Sequence, residues 1–175
     1  YLDLLLIHWP SQTVPLRETL EAMQGLQETG EVRYIGVSNF TPSLLQEALD
    51  IAPQILCNQV EYHPFLAQDA IRSLCEMNDL ALTSYSPLAR GRVAEDPTLK
   101  QIGAAHGKSA AQVTLRWLTQ QKNVAAIPKA SDTTHLRSNL EIFDFELDAE
   151  EANRIAGLAR GQRLIDPEWA PEWGT

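Results

Sequence analysis

Cysteine is nearly absent from this chain of 175 residues: Cys57 and Cys75 are the only two, and neither belongs to a CxxC pair. Two thiols are too few for a disulfide scaffold, so a reduced, cytoplasmic protein is expected. Positive charge is scarce too. Fourteen Lys and Arg face 23 Asp and Glu, a formal net charge of −9 with His neutral. That balance argues against nucleic acid as a partner, because binding a phosphate backbone needs a basic patch. Long apolar runs are missing: the longest, Leu4–Ile7, falls far short of the ~20 residues of a membrane span. Neither a membrane partner nor a signal peptide is expected. Glycine-rich phosphate loops are absent as well, with no GxGxxG and no GxxxxGK[ST]. What remains is 44% hydrophobic and 21% charged, the balance of a globular chain long enough for one domain with a real core.

Five apolar, strand-like runs recur along it: Leu2–His8, Val32–Val37, Leu56–Glu61, Leu80–Tyr85 and Val124–Ile127. Most are continuous rather than alternating, as in strands buried on both faces of a parallel sheet. Helical patterns separate them. Leu16, Leu20, Met23 and Leu26 share one face ahead of Gly30, a C′ stop. Thr41-Pro42 reads as an N-cap followed by proline at the first helical position. Ile71, Leu74 and Cys75 mark a third helix, and Asp96-Pro97 opens a fourth that Gly107 closes. Ser109 caps the next, with Val113, Trp117 and Leu118 on one face, and Asp148 with Glu151 has the spacing of a capping box.

Strand and helix in alternation, without a long polar linker, predict repeated βαβ units. An open doubly wound sheet and a (β/α)8 barrel both fit that pattern. The missing glycine-rich turn favours the barrel, although a whole one takes about 250 residues. The chain also starts inside a strand, so it is expected to be the C-terminal portion, 1–175, of a single barrel domain.

Barrels carry their chemistry at the C-terminal ends of the strands. Those exits read His8-Trp9-Pro10, Ser38-Asn39-Phe40, Gln59-Val60-Glu61-Tyr62-His63, Tyr85-Ser86-Pro87-Leu88 and Pro128-Lys129. Each alone is an ordinary turn. Together they bring an amide, a hydroxyl, a phenol, an imidazole and an ammonium to the strand ends, which points to a binding site. His63, ahead of Pro64, reads as structural, and His106, near a helix end, as solvated or capping. His8, Glu61 and His63 lack metal-ligand spacing, so no metal is expected.

The segments YLDLLLIHWP, IGVSNF, NQVEYHP, SYSPLARG and IPKASDTTHLRSNLEIFDFEL resemble, in order, the strand-exit motifs of the aldo-keto reductase family. The ending LARGQRLIDPEWAPEWGT is most similar to the bacterial 2,5-diketo-D-gluconate reductase group. The resemblance implies a (β/α)8 TIM barrel, here only about strands four to eight, and NADP(H) bound without a glycine-rich loop, with NAD(H) as the alternative. It implies that His8 is catalytic, hydrogen-bonding the carbonyl oxygen of a small-molecule substrate, and that Trp9 is a wall of the substrate pocket. It assigns Ser38, Asn39 and Gln59 to the nicotinamide carboxamide and Tyr85 to stacking on the nicotinamide ring. Ser86 and Leu88 would contact the pyrophosphate, Lys129, His135 and Asn139 the adenosine-phosphate end. Residues 159–175, with Trp169 and Trp173, would form a tail bordering the pocket. The whole protein would be a monomer.

The sequence also departs from the family. Its general-acid Tyr, with a Lys and an Asp, belongs to the first half of the barrel, and none of Tyr1, Tyr34, Tyr62 and Tyr85 matches that motif. The chain alone is therefore expected to be inactive. Beyond Lys129, Ala130 stands where a small hydroxyl residue is usual, His135 where an Arg is, and Ser138 where a Glu is common, while Asp132 adds a negative charge to the loop. The leading expectation is an NADP(H)-dependent carbonyl reductase. The alternative is a non-catalytic cofactor-binding regulatory module of the same fold, as in potassium-channel subunits.

Overall fold

The computed structural model describes residues 1–173. Gly174 and Thr175, which end the tail assigned to 159–175, lie outside the described residues. The elements run β1 (Leu2–Ile7), α1 (Leu16–Glu28), β2 (Val32–Ser38), α2 (Pro42–Ile51), β3 (Cys57–Glu61), α3 (Asp69–Met77) and β4 (Ala81–Tyr85). A 3-10 segment (Ala89–Glu95) follows, then α4 (Pro97–His106), α5 (Ala110–Thr119), β5 (Val124–Ala126), α6 (Thr133–Leu140) and α7 (Ala149–Ala156). All five strands thus fall within a residue or two of their expected bounds.

Most helix starts are set by the expected caps. Thr41 Oγ1 accepts from the Leu44 N–H, and Asp96 from Thr98 and Leu99. Ser109 with Gln112, and Asp148 with Glu151, close complete capping boxes. Gly107 ends α4 at φ 65°. Helix α6 is the addition: none of its residues is buried, so no apolar periodicity announces it. Asp132, expected in a loop, is its N-cap.

The sheet order is β1-β2-β3-β4-β5, with neighbours in chain order throughout. A doubly wound sheet reverses its order at a switch point, whereas sequential order is consistent with the wall of a (β/α)8 barrel.

Contacts divide the chain into two units. The first holds Tyr1–Val60, Asp69–Leu82 and the chain from Asp166 on. In it β1 pairs in parallel with β2 from Leu2↔Val32 to Ile7↔Val37, and β2 with β3 from Val37↔Asn58 to Ser38↔Gln59. Helices α1, α2 and α3 lay Leu20, Leu45 and Ile71 over a core that includes Ile35 and Val37. β1 departs from the doubly buried reading: Leu2 is 54% exposed and Leu4 39%. It lies at the end of the sheet order, with β2 as its one neighbour. Gly36 is pinned in mid-strand, since a Cβ there would lie 2.7 Å from Leu6 Cδ2 and 3.0 Å from both the carbonyl oxygen and the Sγ of Cys57. Cys57 and Cys75 are buried free thiols, and burial, then Cys57, pushes the Cys75 thiol up to about 12.

The second unit holds Glu61–Gln68 and Thr83–Ile165. Helix α5 buries Val113, Leu115 and Leu118, while Tyr62 packs on Trp117 at 5.4 Å and donates its hydroxyl proton to Gln121 Oε1 at 2.8 Å. His106 is neither solvated nor a cap. It is partly buried, with Nε2 2.8 Å from Glu151 Oε1, and ties α4 to α7. Lys108 Nζ donates to Asp144 at 2.7 and 2.8 Å and to the Glu141 carbonyl at 3.0 Å. That ammonium holds the Asp144 carboxyl below its usual range.

Two glycines give opposite expectations. Gly36→Ala lowers the urea midpoint, by about 1–3 kcal/mol of overpacking. Gly25→Ala, inside α1 with no atom within 4 Å of the new Cβ, stabilises the fold by about 0.5–1 kcal/mol and raises the midpoint. Equilibrium urea unfolding of both variants checks the pair.

Candidate active site

In the first unit the exits of β1, β2 and β3 are tied together. The Ser38 hydroxyl donates to the Gln59 carbonyl at 2.7 Å, and the Asn39 backbone N–H donates to the same oxygen at 2.9 Å. Asn39 Nδ2 reaches the His8 carbonyl at 2.9 Å and Ser38 Oγ at 3.2 Å. Asn39 stands at φ 62°, a left-handed conformation that asparagine tolerates better than most side chains. Ser38 and Asn39 are buried, so both act first as braces between strand ends. Gln59 is half-buried.

His8 leaves β1 with an exposed imidazole, its ring 6.3 Å from that of Trp9. Trp9 in turn meets Trp173 edge-on at 6.0 Å, and Trp173 Nε1 donates to Asp166 at 2.9 Å. Gln12 Nε2 donates to the Trp169 carbonyl at 3.4 Å. The first unit thus gathers His8, Trp9, Ser38, Asn39 and Gln59, and lays an aromatic residue of the tail on Trp9.

In the second unit, β4 and β5 carry the remaining candidates. The Ser84 hydroxyl donates to the Tyr62 carbonyl at 2.6 Å, and the Ile127 N–H to the Ser84 carbonyl at 3.0 Å. Tyr85 follows, half-buried. Its phenol is pushed up to about 12, first by burial and then by the Glu61 charge, with Arg163 and a backbone hydrogen bond from Glu61 pulling the other way. It is a neutral ring at any physiological pH. Ser86 takes φ 47°, and Ala89, Arg90 and Gly91 follow at φ 47°, 53° and 87°. The chain turns away from the strand here, with the Ala89 N–H on the Ser86 carbonyl at 2.9 Å and the Gly91 N–H on the Leu88 carbonyl at 2.8 Å. Leu88 lies within it, half-buried.

Lys129 is exposed, its Nζ 3.4 Å from Ser131 Oγ. Asp132 accepts from the Thr134 and His135 N–H groups at 2.7 and 3.0 Å, which holds its carboxyl below the usual range. His135 is exposed, with Nδ1 3.9 Å from Asp132 Oδ2. Asn139 lines an apolar hollow of about 310 Å³ with Pro128, Leu136 and Phe143. The first donors of α6 are therefore taken by a carboxylate of the same chain.

Sequence reasoning set Glu61 aside. The structure buries it completely and turns three donors onto its carboxylate: the Leu164 N–H, the Ile165 N–H and His63 Nε2. The available signal was a lone acid closing an apolar strand. Among the described residues no group of three or more His, Cys, Asp and Glu is arranged to hold a metal ion, and no helix is long and apolar enough to cross a membrane.

The sequence pattern described as "Aldo/keto reductase family" matches residues 1–160. An aldo-keto reductase of Mycolicibacterium paratuberculosis is 42% identical over 170 residues, covering 95% of this chain and 59% of that protein. A glyoxal reductase of Bacillus subtilis is 41% identical over 167 residues, covering 94% of this chain and 59% of that protein. A crystal structure of a protein provisionally named 2,5-diketo-D-gluconic acid reductase B superposes with a TM-score of 0.96 at 43% identity, over 99% of this chain and 63% of that one. The chain thus spans about three fifths of the length of the relatives it matches.

The raised Tyr85 phenol has a signed consequence. The unfolded chain loses this proton near pH 10 and the folded chain only near pH 12, so Tyr85 favours the fold fully below pH 10. The contribution is lost as pH rises from there through about 12. Ultraviolet phenolate titration of the folded protein is expected to contain a component near pH 12 that disappears in Tyr85→Phe.

Proposed function

The chain belongs to the aldo/keto reductase family, and from that premise we propose that the protein reduces small aldehydes, ketones or keto-sugars with NADP(H). The observation that carries this reading is the exposed His8 imidazole at the β1 exit, beside the Trp9–Trp173 aromatic pair. A carbonyl that accepts hydride gains negative charge on oxygen. The His8 ring N–H donates to that oxygen and stabilises the charge where it develops. Trp9 and Trp173 supply flat apolar wall for the carbon skeleton.

The residues fit a nicotinamide cofactor. Gln59, half-buried at the β3 exit, offers both a donor and an acceptor to a carboxamide, with Ser38 and Asn39 beside it. Tyr85 offers an uncharged aromatic face, and Ser86 and Leu88 in the turn after it would meet the pyrophosphate. When bound, the cofactor supplies the hydride. The proton donor is proposed to be the family's Tyr, with its Lys and Asp, from outside these 175 residues, because no tyrosine here stands in that motif. The free buried thiols suit a reducing, cytoplasmic setting.

Specificity for the 2′-phosphate rests on Lys129, His135 and Asn139. Lys129 gives a point charge without the bidentate fork of an Arg. Asp132, capping α6 from its own carboxylate, opposes a phosphate in the same place.

Two variants test the reading in the protein expressed from its whole coding sequence. His8→Ala is expected to lower kcat/KM for an aldehyde by about 10²–10³-fold while NADPH affinity barely moves, the scale of one lost oxyanion donor. An equal loss in both sinks the assignment. NADPH binding without any turnover by the unaltered protein points instead to the cofactor-binding module. Asp132→Asn keeps an N-cap acceptor and removes the charge. It is expected to tighten NADPH a few-fold, about 0.5–1 kcal/mol, and to leave NADH unchanged in fluorescence titrations. Equal effects on the two cofactors mean that α6 does not face the phosphate.

A further inference from the structure

The segment Arg160–Ile165 has no secondary structure of its own, yet it is fastened along its length. The N–H groups of Arg160 and Gln162 both donate to the Phe65 carbonyl, at 3.2 and 3.0 Å. The Arg160 guanidinium lies 4.2 Å over the Phe65 ring. Four residues on, the Leu164 and Ile165 N–H groups donate to the Glu61 carboxylate at 2.9 and 3.0 Å. These anchors are the last residue of β3, Glu61, and Phe65 in the loop that follows it. The Glu61 carboxylate is itself fully buried and held from the other side by His63 Nε2 at 3.1 Å. Three donors and no acceptor converge on it, the set that an acceptor-only carboxylate takes. Burying a carboxylate is expensive, and for the fold alone an apolar side chain of similar size would serve as well.

The anchor of the strap is one residue from the ring assigned to the nicotinamide, because the Tyr62 N–H, next to Glu61, donates to the Tyr85 carbonyl at 3.4 Å. Arg163 and Glu61 both act on the Tyr85 phenol, with opposite sign. We propose that Glu61 is a positioning residue: it latches the strap Arg160–Ile165 beside Tyr85 and thereby sets how long a bound nicotinamide cofactor stays. The proposal rests on the reading of Tyr85 as the stacking ring. With the latch closed, the strap amides are fixed on Glu61. With it open, residues 160–165 lose their fixed place, and the side of the site they border opens to solvent.

Two variants open the latch from opposite sides. Glu61→Gln presents one acceptor and one donor where three donors converge. Ile165→Pro, on the half-buried strap, removes a donor and leaves the β3 exit untouched. The first measurement is limited trypsin cleavage without cofactor. Cleavage after Arg160 and Arg163 is expected to quicken roughly tenfold, the equivalent of one charge-assisted hydrogen bond. Cleavage after the exposed Lys122 is expected to stay unchanged. The second is stopped-flow release of NADPH from the protein expressed from its whole coding sequence, expected to quicken several-fold in both variants. Faster cleavage at all three sites alike overturns the proposal, since Glu61 then supports the fold at large. Unchanged cleavage, or faster cleavage with an unchanged NADPH release rate, overturns it too. Failure of the unaltered protein to bind NADPH overturns the cofactor reading and this proposal with it, whereas binding with an unchanged release rate overturns this proposal alone.

Discussion

Parallel pairing is the constraint on which the rest depends. Strands that run in the same direction end on the same edge of the sheet, and each ends with backbone groups the ladder no longer satisfies. In this chain side chains complete what the ladder leaves. Ser38 and Asn39 in one unit, and Ser84 and Gln68 in the other, donate to carbonyls at or beside neighbouring strand ends. Fixing those carbonyls fixes the exits, and the exits carry His8, Trp9, Gln59, Tyr85 and Ser86. A reactive group has to be held to within a fraction of an ångström, and a strand end braced from its neighbour meets that demand better than a free loop.

The same bracing explains why several polar residues at these ends are buried rather than presented to solvent. Asn58, buried near the start of β3, donates Nδ2 to the Phe40 carbonyl at 3.0 Å just beyond β2, while its Oδ1 meets no partner among the described residues. Left unpaired, such a donor would cost about 1–3 kcal/mol. Paired, it locks one arrangement of the exits against the alternatives. The helices act from outside. Capping boxes close the starts of α5 and α7, and α5 buries Val113, Leu115 and Leu118.

Two carboxylates show how the same charge serves different ends. Asp144 is exposed and bound by a mostly buried Lys108, so it anchors one loop on a helix connection. Glu61 is wholly buried and gathers amides from residues about a hundred positions later in the chain. The first shifts in the direction an ammonium dictates. The second makes itself felt on Tyr85, where its charge and the burial of the ring keep the phenol neutral. A neutral, half-buried ring is what stacking on a flat partner asks for.

Much of this was legible in the chain itself. Mostly apolar runs marked the five strands, although β1 and the start of β2 are not covered on both faces. Ser109-x-x-Gln112, Asp148-x-x-Glu151, Asp96-Pro97 and Gly107 marked helix ends, because caps are local and answer to the nearest few amides. The residue types at the exits followed from the strand assignment alone. Tertiary structure decided the remainder. His106 became a tie between two helices, and Glu61 a buried anchor for a distant strap. In each case the role of a polar side chain was set by a partner that only the folded chain brings within about 3 Å. Hydrophobic pattern repeats along the sequence and can be read there, whereas a hydrogen bond over a hundred residues has no local trace.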